Sequence, residues 1–244
     1  METLTARDIE TWVKAMHSQG LAPTTIRTRV AIIRAVLTSA VRDGYIPSNP
    51  CTGVRLPRIS RRATSVALPN ETAIARLIAT SEPTFAVLFA LAAYAGLRLG
   101  EARALTWGDA DLNAGRLTIG KQLQQVPGGG WTESPPKYGS FRTVPICAEL
   151  KAILLPEERE EGRLVVEGRE GGPVHPGSVQ RTWREQRELC GLPPTFRLHD
   201  LRHWYVSRLI GKGTDILTIQ RRIGHARAST TLDVYAHVWP TQVA

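Results

Sequence analysis

Cysteine is scarce in this sequence, whose 244 residues include only Cys51, Cys147 and Cys190. The three lie far apart and form no CxxC pair, so neither a disulfide framework nor a zinc site is predicted. Such cysteine usage is typical of a chain that works in a reducing cytosol.

Long apolar runs and secretion signals are also lacking. The longest apolar stretch, residues 85–97, is shorter than the roughly 18 residues of a membrane span, and it predicts a buried helix. The sequence METLTARDIE has no basic region followed by an apolar core, so it does not predict a signal peptide. We therefore expect no membrane partner and a location in the cytoplasm.

Acidic residues are outnumbered, with 22 Asp and Glu against 31 Lys and Arg and a formal net charge of +9. This excess favours a polyanionic partner, of which DNA and RNA are the common examples. Charge alone leaves a basic enzyme or a membrane-surface binder as alternatives. Hydrophobic residues make up 42% of the chain, which is enough for a packed core and does not predict general disorder.

The chain divides into two predicted domains joined by a basic linker. Two amphipathic helical patterns, the second over residues 24–42, predict a small helical domain at residues 1–54. Residues 55–67 carry arginines, no acid and no periodicity, which is typical of a linker. Residues 68–244 are the second predicted domain.

This second domain is predicted to be mainly α-helical with a small antiparallel sheet. Helical patterns continue from Leu68 to about Asp111. The segments GRLTIGKQLQQV, WTESPP and FRTVPI then predict three short strands. Four further helices are predicted at about 176–190, 199–211, 215–223 and 229–237.

Arginines on the second helix and in the linker are candidate contacts to a nucleic-acid backbone. Two of them are seven residues apart on one helix face, and a basic extended segment can lie across phosphates. A solvated basic surface is the commoner explanation for such residues. The candidate DNA-binding residues are Arg27, Arg34, Arg55, Arg58, Arg61 and Arg62.

Four short motifs in the second domain carry residue types suited to chemistry at a phosphate. Breaking a phosphodiester bond without water or a metal ion needs a nucleophile, positive groups near the phosphoryl oxygens and a proton for the leaving oxygen. Arginine binds two phosphate oxygens at once and keeps its charge. Tyrosine can attack phosphorus when a base or a positive site helps it to ionise. The motifs are GLRLGE with Arg98 and Glu101, HDLRH with His199, Arg202 and His203, IGH with His225, and TLDVYAH with Tyr235.

Together these motifs resemble the signature of the tyrosine recombinase, or phage integrase, family. That signature is an Arg in a G-L-R-x-x-E box, a Lys in a β-hairpin, an H-x-x-R box, a G-H pair and a nucleophilic Tyr. The segment PPKYGSFRTVPI at 135–146 is similar to the family's hairpin, with Lys137 at the lysine position. The resemblance runs from about Leu4 to Pro240. It implies a helical core-binding domain followed by a tyrosine-recombinase catalytic domain.

The resemblance implies a phosphate-binding role for three of these residues. Arg98 and Arg202 would hold the scissile phosphate, and His225 would hydrogen-bond it. Glu101 would support the site as a helix-start carboxylate that braces a guanidinium. His203 would be a supporting, structural residue.

The remaining three matching residues would carry the proton and bond transfers. His199 would assist proton transfer at the nucleophile, and Lys137 would protonate the leaving 5′ oxygen. Tyr235 would form a 3′-phosphotyrosyl link that stores the energy of the broken bond. The resemblance therefore implies a reaction with no ATP, metal or other cofactor.

Some of these assignments have competitors in the sequence. Lys121 competes with Lys137, but it is predicted to lie in a strand rather than at the hairpin tip. Tyr45 and Tyr94 are interpreted as packing residues. Tyr205 stands where family members usually carry a smaller residue, so it is expected to fill the core differently or to narrow the approach to the site.

The resemblance predicts a site-specific recombinase that acts on double-stranded DNA at a core-type attachment site, in the cytoplasm of a bacterial host. It implies a homotetramer on two paired sites, with an accessory directionality factor as a further partner. Integration and excision of a phage or other mobile element is the predicted use. A host dimer-resolution recombinase and a non-catalytic repressor or architectural relative are alternatives. Met1 falls about halfway into the family's core-binding domain, so that domain is expected to be reduced, either naturally or because the chain is incomplete.

Overall fold

A computed structural model describes residues 4–58, 68–126, 129–157 and 159–225. The chain forms two compact units, Met1–Thr64 and Ser65–Ala244. The helices are α1 (Ala6–Ser18), α2 (Pro23–Arg42), α3 (Glu71–Ala79), α4 (Pro83–Tyr94), α5 (Leu99–Ala104), α6 (Ala148–Leu154), α7 (Pro176–Leu189), α8 (Asp200–Gly211) and α9 (Ile216–Ile223). The strands are β1 (Ala110–Asp111), β2 (Arg116–Ile119), β3 (Gln122–Gln125), β4 (Trp131–Ser134) and β5 (Arg142–Pro145).

The first unit, as far as the structure describes it, is a pair of helices, α1 and α2, with the segment that follows them. A reciprocal cap begins α1: the Thr5 hydroxyl accepts from the backbone N–H of Asp8, and the Asp8 carboxylate accepts from the backbone N–H of Thr5. Proline at position 23 begins α2, where its missing N–H costs nothing. The small core of this unit consists of Ile9, Val13, Met16, Ile26, Val30, Cys51 and Val54.

The core of the second unit is built around α4. Every residue of this helix from Val87 to Tyr94 is buried, because α3, α5, α6 and α8 all pack against it. An apolar helix that is covered on all sides needs no polar face. The prediction of a buried helix in the apolar run at 85–97 is therefore confirmed.

In the described residues of the second unit, five short strands form two separate antiparallel sheets. Strand β2 lies between β1 and β5, whereas β3 pairs only with β4. The prediction of one strand over GRLTIGKQLQQV was wrong, because the chain leaves the first sheet after Ile119 and enters the second at Gln122. Strand β3 packs on α5, and a Cβ at Gly100 would lie 3.0 Å from the Leu123 carbonyl oxygen. The predicted fold class, mainly helical with a small antiparallel sheet, is confirmed.

The later helices follow the predicted pattern closely. Helices α7, α8 and α9 begin and end within one residue of the predicted ranges. The predicted helix at 229–237 lies outside the described residues. Helix α6 was not predicted, since its seven residues are too short for a clear helical period. Within the described ranges, no helix combines the length and apolar character needed to cross a membrane.

Candidate active site

Arg98 is placed by a sharp turn between α4 and α5. Gly96 forms this turn with φ +67°, and its α-carbon faces the Tyr205 ring so closely that a Cβ would lie 2.5 Å from a ring carbon. Arg98 then occupies the N-cap position of α5. Its guanidinium donates to the Glu101 carboxylate at 2.7 Å and to the Gly224 carbonyl at 3.1 Å. The turn thus directs this arginine toward the end of α9.

Glu101 is a buried carboxylate that joins two arginines. Its oxygens accept from the Arg98 backbone N–H at 2.8 Å and from the Arg98 guanidinium. The guanidinium of Arg142, on β5, donates to both carboxylate oxygens, at 2.7 and 3.0 Å. Burial raises the pKa of Glu101, but the bonds and charges of Arg142 and Arg98 outweigh this effect and lower it to about 2. The carboxylate is therefore ionised, and it fixes the direction of both side chains.

Arg202 is the second candidate phosphate arginine, and it is 3% exposed within α8. Its guanidinium donates to the carbonyl oxygen of Gly96 and to that of Ile223. The first bond ties α8 to the glycine turn that precedes Arg98. The second ties α8 to the end of α9, so both candidate arginines are directed to the same place.

Three arginines hold three consecutive carbonyls at the end of α9. Arg142 Nε donates to the Arg222 carbonyl at 2.8 Å, Arg202 donates to Ile223, and Arg98 donates to Gly224. Carbonyls at a helix C-terminus lack intrahelical partners and carry partial negative charge, so they are suitable acceptors for cations. We call this arrangement the arginine cap of α9.

Gly224 ends α9 in the left-handed conformation, with φ +63°. A Cβ at this position would lie 2.8 Å from the Ser140 Cβ. Only glycine therefore allows both the helix end and the close approach of the turn that carries Ser140. His225 follows directly, and its backbone is held from both sides by Gln220, whose carbonyl accepts from the His225 N–H and whose amide donates to the His225 carbonyl.

Two histidines lie at the start of α8, with their ring centroids 5.2 Å apart and nearly perpendicular. His199 precedes the first helical residue, and His203 lies one turn later. The buried Asp200 carboxylate shapes this helix start by accepting from the backbone N–H of Arg197 at 2.6 Å. An apolar cavity of about 180 Å³, bounded by Leu97 and Leu198 among others, adjoins His199.

The histidines and arginines lie close enough to shift one another's titration. Burial, followed by the charges of His203 and Arg202, lowers the pKa of His199 to about 4. Burial, followed by Arg202 and Arg98, lowers the pKa of His225 to about 4. Both imidazoles are therefore neutral near pH 7, and each retains one N–H donor and one acceptor nitrogen.

Lys137 lies on a short turn between β4 and β5. These strands belong to different sheets, so its predicted place in a β-hairpin was wrong. The turn still approaches the site, because Arg98 donates to the Ser140 hydroxyl at 3.4 Å and Arg142 donates to the Ser140 carbonyl at 3.3 Å. The Lys137 ammonium itself is exposed, and it lies 5.4 Å from the centre of the Tyr138 ring.

Lys121, which competes with Lys137 for the proton-donor role, lies between β2 and β3. The prediction that it lies in a strand was therefore wrong. Its ammonium lies 3.8 Å from the carboxylates of both Asp109 and Glu133. Because Lys121 forms ion pairs with these two carboxylates, Lys137 is the better candidate for the proton donor.

Tyr235 lies outside the described residues, as do Arg61 and Arg62 of the linker. Of the other tyrosines, Tyr45 is 82% exposed, so its interpretation as a packing residue was wrong. Tyr205 is buried against Gly96, which indicates that it fills the core of the second unit.

The candidate DNA-binding arginines that the structure describes in the first unit fall into two groups, hydrogen-bonded and exposed. Arg27 Nε donates to the Pro57 carbonyl and Arg34 donates to the Cys51 carbonyl, both at 3.0 Å. These bonds hold the segment after α2 against the helix, a structural role that the sequence did not suggest. Arg55 and Arg58 are exposed, and Arg55 lines a groove on α1 that also includes Lys14.

Arg142 is the residue of the candidate site that the sequence analysis did not single out. It stands in the same FRTVPI segment as the family's R-x-V-P pattern, so the motif itself was a signal. Within the described parts of the chain, no group of three or more His, Cys, Asp or Glu side chains is placed to hold a metal ion.

Comparison with known proteins matches residues 70–241 to the phage integrase family. The chain belongs to the phage integrase family. Residues 3–55 match the phage integrase SAM-like domain. This integrase is 28% identical to the ICEBs1 integrase of Bacillus subtilis (strain 168) over 99% of the chain and 69% of that protein. It is also 28% identical to the tyrosine recombinase XerC of Xylella fastidiosa (strain 9a5c), over 94% of the chain and 75% of that protein. The integrase is therefore a DNA breaking-rejoining enzyme of the tyrosine recombinase type.

Solved structures share the fold of this integrase. The Tn1549 transposon integrase in complex with transposon right-end DNA superposes with a TM-score of 0.77 at 22% identity, covering 96% of this chain and 82% of that one. A lambda integrase dimer bound to a COC′ core site gives a TM-score of 0.69 at 19% identity, covering 99% of this chain and 68% of that one. Both likenesses extend over the helical unit and the larger unit alike.

Proposed function

We propose that this integrase cleaves and rejoins DNA with Arg98, Arg202, His199 and His225 around the scissile phosphate. The observation that carries this proposal is the convergence of these four side chains on the end of α9. Arg98 and Arg202 donate to adjacent carbonyls immediately before His225. Both arginines also lower the pKa values of His199 and His225. Two fixed positive charges beside two neutral imidazoles suit a phosphodiester that gains negative charge in the transition state.

Each residue has one step in the proposed reaction. The Tyr235 oxygen bonds to phosphorus while its proton passes to the neutral His199, and the bond from phosphorus to the 5′ oxygen breaks. Lys137 gives a proton to that oxygen, and His225 donates a hydrogen bond to the phosphate. Rejoining is the reverse reaction, so the phosphotyrosyl bond conserves the energy of the broken strand.

Tyr235 follows His225 by ten residues. A chain of ten residues spans at most about 35 Å, so this spacing allows the Tyr235 oxygen to reach a phosphate bound beside His225. Tyr235→Phe removes only the nucleophilic oxygen. A substrate nicked near the cleavage point should trap wild-type protein covalently and should not trap this variant.

Tyr45→Phe is the matched control, because Tyr45 is an exposed phenol on the first unit. It should trap DNA as the wild type does. DNA binding without any adduct in the wild type would instead favour the non-catalytic repressor or architectural alternative. An adduct that persists in Tyr235→Phe would show that another residue is the nucleophile.

We also propose how the domains divide the work. Residues 1–54 would form the core-binding domain and residues 68–244 the catalytic domain, with the basic linker 55–67 across the DNA backbone. Arg55 and Arg58 are the described arginines of this linker. Likeness to DNA-bound integrases supports double-stranded DNA as the partner. A homotetramer on two paired core-type sites and an accessory directionality factor complete the proposed assembly.

The proposed biological use is integration and excision of a phage or related mobile element within the bacterial cytoplasm. Similarity to the ICEBs1 integrase supports this use. Similarity to XerC of Xylella fastidiosa supports a second candidate, the resolution of host chromosome or plasmid dimers. Sequencing the DNA trapped on Tyr235 in host cells separates them: junctions between an element end and the chromosome support the first use, and a chromosomal or plasmid site with no element end beside it supports the second.

A further inference from the structure

The turn that carries Lys137 is anchored at both ends and exposed at its tip. On one side, the Gln122 amide donates to the Pro135 carbonyl at 2.9 Å. On the other, Arg98 donates to the Ser140 hydroxyl and Arg142 to the Ser140 carbonyl. The tip, Lys137–Gly139, is closed by a bond from the Gly139 N–H to the Pro136 carbonyl at 2.9 Å. The position of the tip relative to the candidate phosphate site is therefore set by the arginines of that site.

Tyr138, at the tip, has a backbone conformation that a tyrosine rarely adopts. Its φ is +62° and its ψ is +24°, and among the described residues no other non-glycine residue has a positive φ. A side chain in this left-handed region crowds its own backbone, so glycine or asparagine would be favoured there. A tyrosine held in this conformation beside a candidate site motivates the hypothesis that its side chain has a role there.

The Tyr138 ring is 73% exposed, so it contributes little to the core. Its face lies 5.4 Å from the Lys137 ammonium, within the range of a cation–π contact. No ion pair holds this ammonium within the part of the chain that the structure describes. A lysine side chain has four flexible methylene groups, so contact with a fixed ring narrows the positions that its ammonium samples.

We propose that Tyr138 is a positioning residue, whose ring holds the Lys137 ammonium where it can protonate the leaving 5′ oxygen. This inference rests on the proposed function, in which Lys137 is the proton donor. As the bond from phosphorus to the 5′ oxygen breaks, the proton passes from Lys137 Nζ to that oxygen and leaves a neutral amine. On rejoining, the amine takes the proton back from the 5′ hydroxyl.

Two nicked substrates separate this role from a structural one. One has the natural oxygen at the cleaved 5′ position, and the other has sulfur in its place. Thiolate is a far better leaving group than alkoxide, so cleavage of the sulfur substrate needs no proton donor. The measured quantity is the rate of covalent adduct formation in a single turnover on each substrate.

Tyr138→Asn tests the ring without disturbing the turn, because asparagine tolerates the left-handed conformation. We expect it to slow cleavage of the oxygen substrate by about 2- to 5-fold, as loss of an exposed cation–π contact would. The sulfur substrate should be cleaved at the wild-type rate. Tyr138→Phe keeps the ring and should behave as wild type on both. Equal slowing on both substrates, or no slowing on oxygen, would overturn the proposal.

Two further variants complete the experiment. Phe141 is a second exposed aromatic residue of the same turn, at 64% exposure, so Phe141→Ala is the matched control and should keep the wild-type ratio of sulfur to oxygen rates. Lys137→Ala should be slow on oxygen and restored on sulfur. If sulfur does not restore it, Lys137 is not the proton donor, and the proposed role of Lys137 and this inference fail together, whereas covalent trapping through Tyr235 still tests the proposed function separately. If sulfur restores it while Tyr138→Asn cleaves oxygen normally, only the inference fails.

Discussion

Replacing Glu101 with glutamine measures how strongly the buried carboxylate holds the two arginines of the site. In the folded chain, Arg142 and Arg98 lower the pKa of Glu101 from 4.5 to about 2 despite its burial. This lowering is worth about 3 kcal/mol in favour of the ionised carboxylate. Glutamine has no charge and turns an NH₂ group toward a guanidinium, so at least one donor is left without an acceptor. Breaking one partner of a buried ion pair costs about 3 to 5 kcal/mol.

We therefore expect Glu101→Gln to lower the free energy of unfolding by about 3 kcal/mol or more, measured by urea unfolding at pH 7. The variant should also form the covalent DNA adduct more slowly, because Arg98 loses the group that directs it. Glu149→Gln is the matched control. The pKa of Glu149 is also about 2, through its backbone hydrogen bond and its bonds with Cys147 and Arg208, but its side chain is 45% exposed.

Because the Glu149 carboxylate is 45% exposed, water screens its charge and its pair with Arg208 contributes about 1 kcal/mol or less. Glu149→Gln should therefore lower the urea midpoint much less than Glu101→Gln does and should not affect adduct formation. The reasoning is refuted if the two substitutions cost the same, since burial of Glu101 would then add nothing to its pairing.

Two further predictions concern pH and the glycine turn. The pKa values of His199 and His225 are lowered to about 4, so the stability that comes from keeping these imidazoles neutral is complete above about pH 6.5 and is lost as the pH falls toward 4. The urea midpoint should fall over this window, and less steeply in His199→Asn; identical slopes would contradict the assignment. Gly96→Ala places a methyl group against the Tyr205 ring at positive φ and should destabilise the protein by roughly 2 to 4 kcal/mol in urea unfolding. A cost below about 1 kcal/mol would show that the ring moves aside freely.

Local features of the site were predictable from the sequence. The Arg98–Glu101 pair spans three residues of one helix start, and His199 and Arg202 share another, so motif spacing was enough to bring each pair together. The place of His225 after α9 followed from the glycine that ends the helix. The buried nature of α4 followed from its uninterrupted apolar composition.

Contacts that depend on tertiary packing were not predictable. Arg142 reaches Glu101 across 41 residues, and this contact depends on the pairing of β5 with β2 rather than on any local pattern. The separation of β3 and β4 into their own sheet depends on packing against α5. Tyr45 was misassigned because aromatic character alone does not distinguish a buried ring from an exposed one.

The arginine cap of α9 has a consequence for how DNA enters the site. The aligned peptide dipoles of a helix leave roughly half an elementary negative charge at its C-terminal end. In this chain that end faces Arg98, Arg142 and Arg202. The main-chain oxygens thus offset part of the positive charge of the three guanidinium groups, and their hydrogen bonds hold these mutually repelling cations together. If the scissile phosphate binds here as proposed, it would meet guanidinium groups whose positions are already fixed, so little of its binding energy would be spent on assembling them.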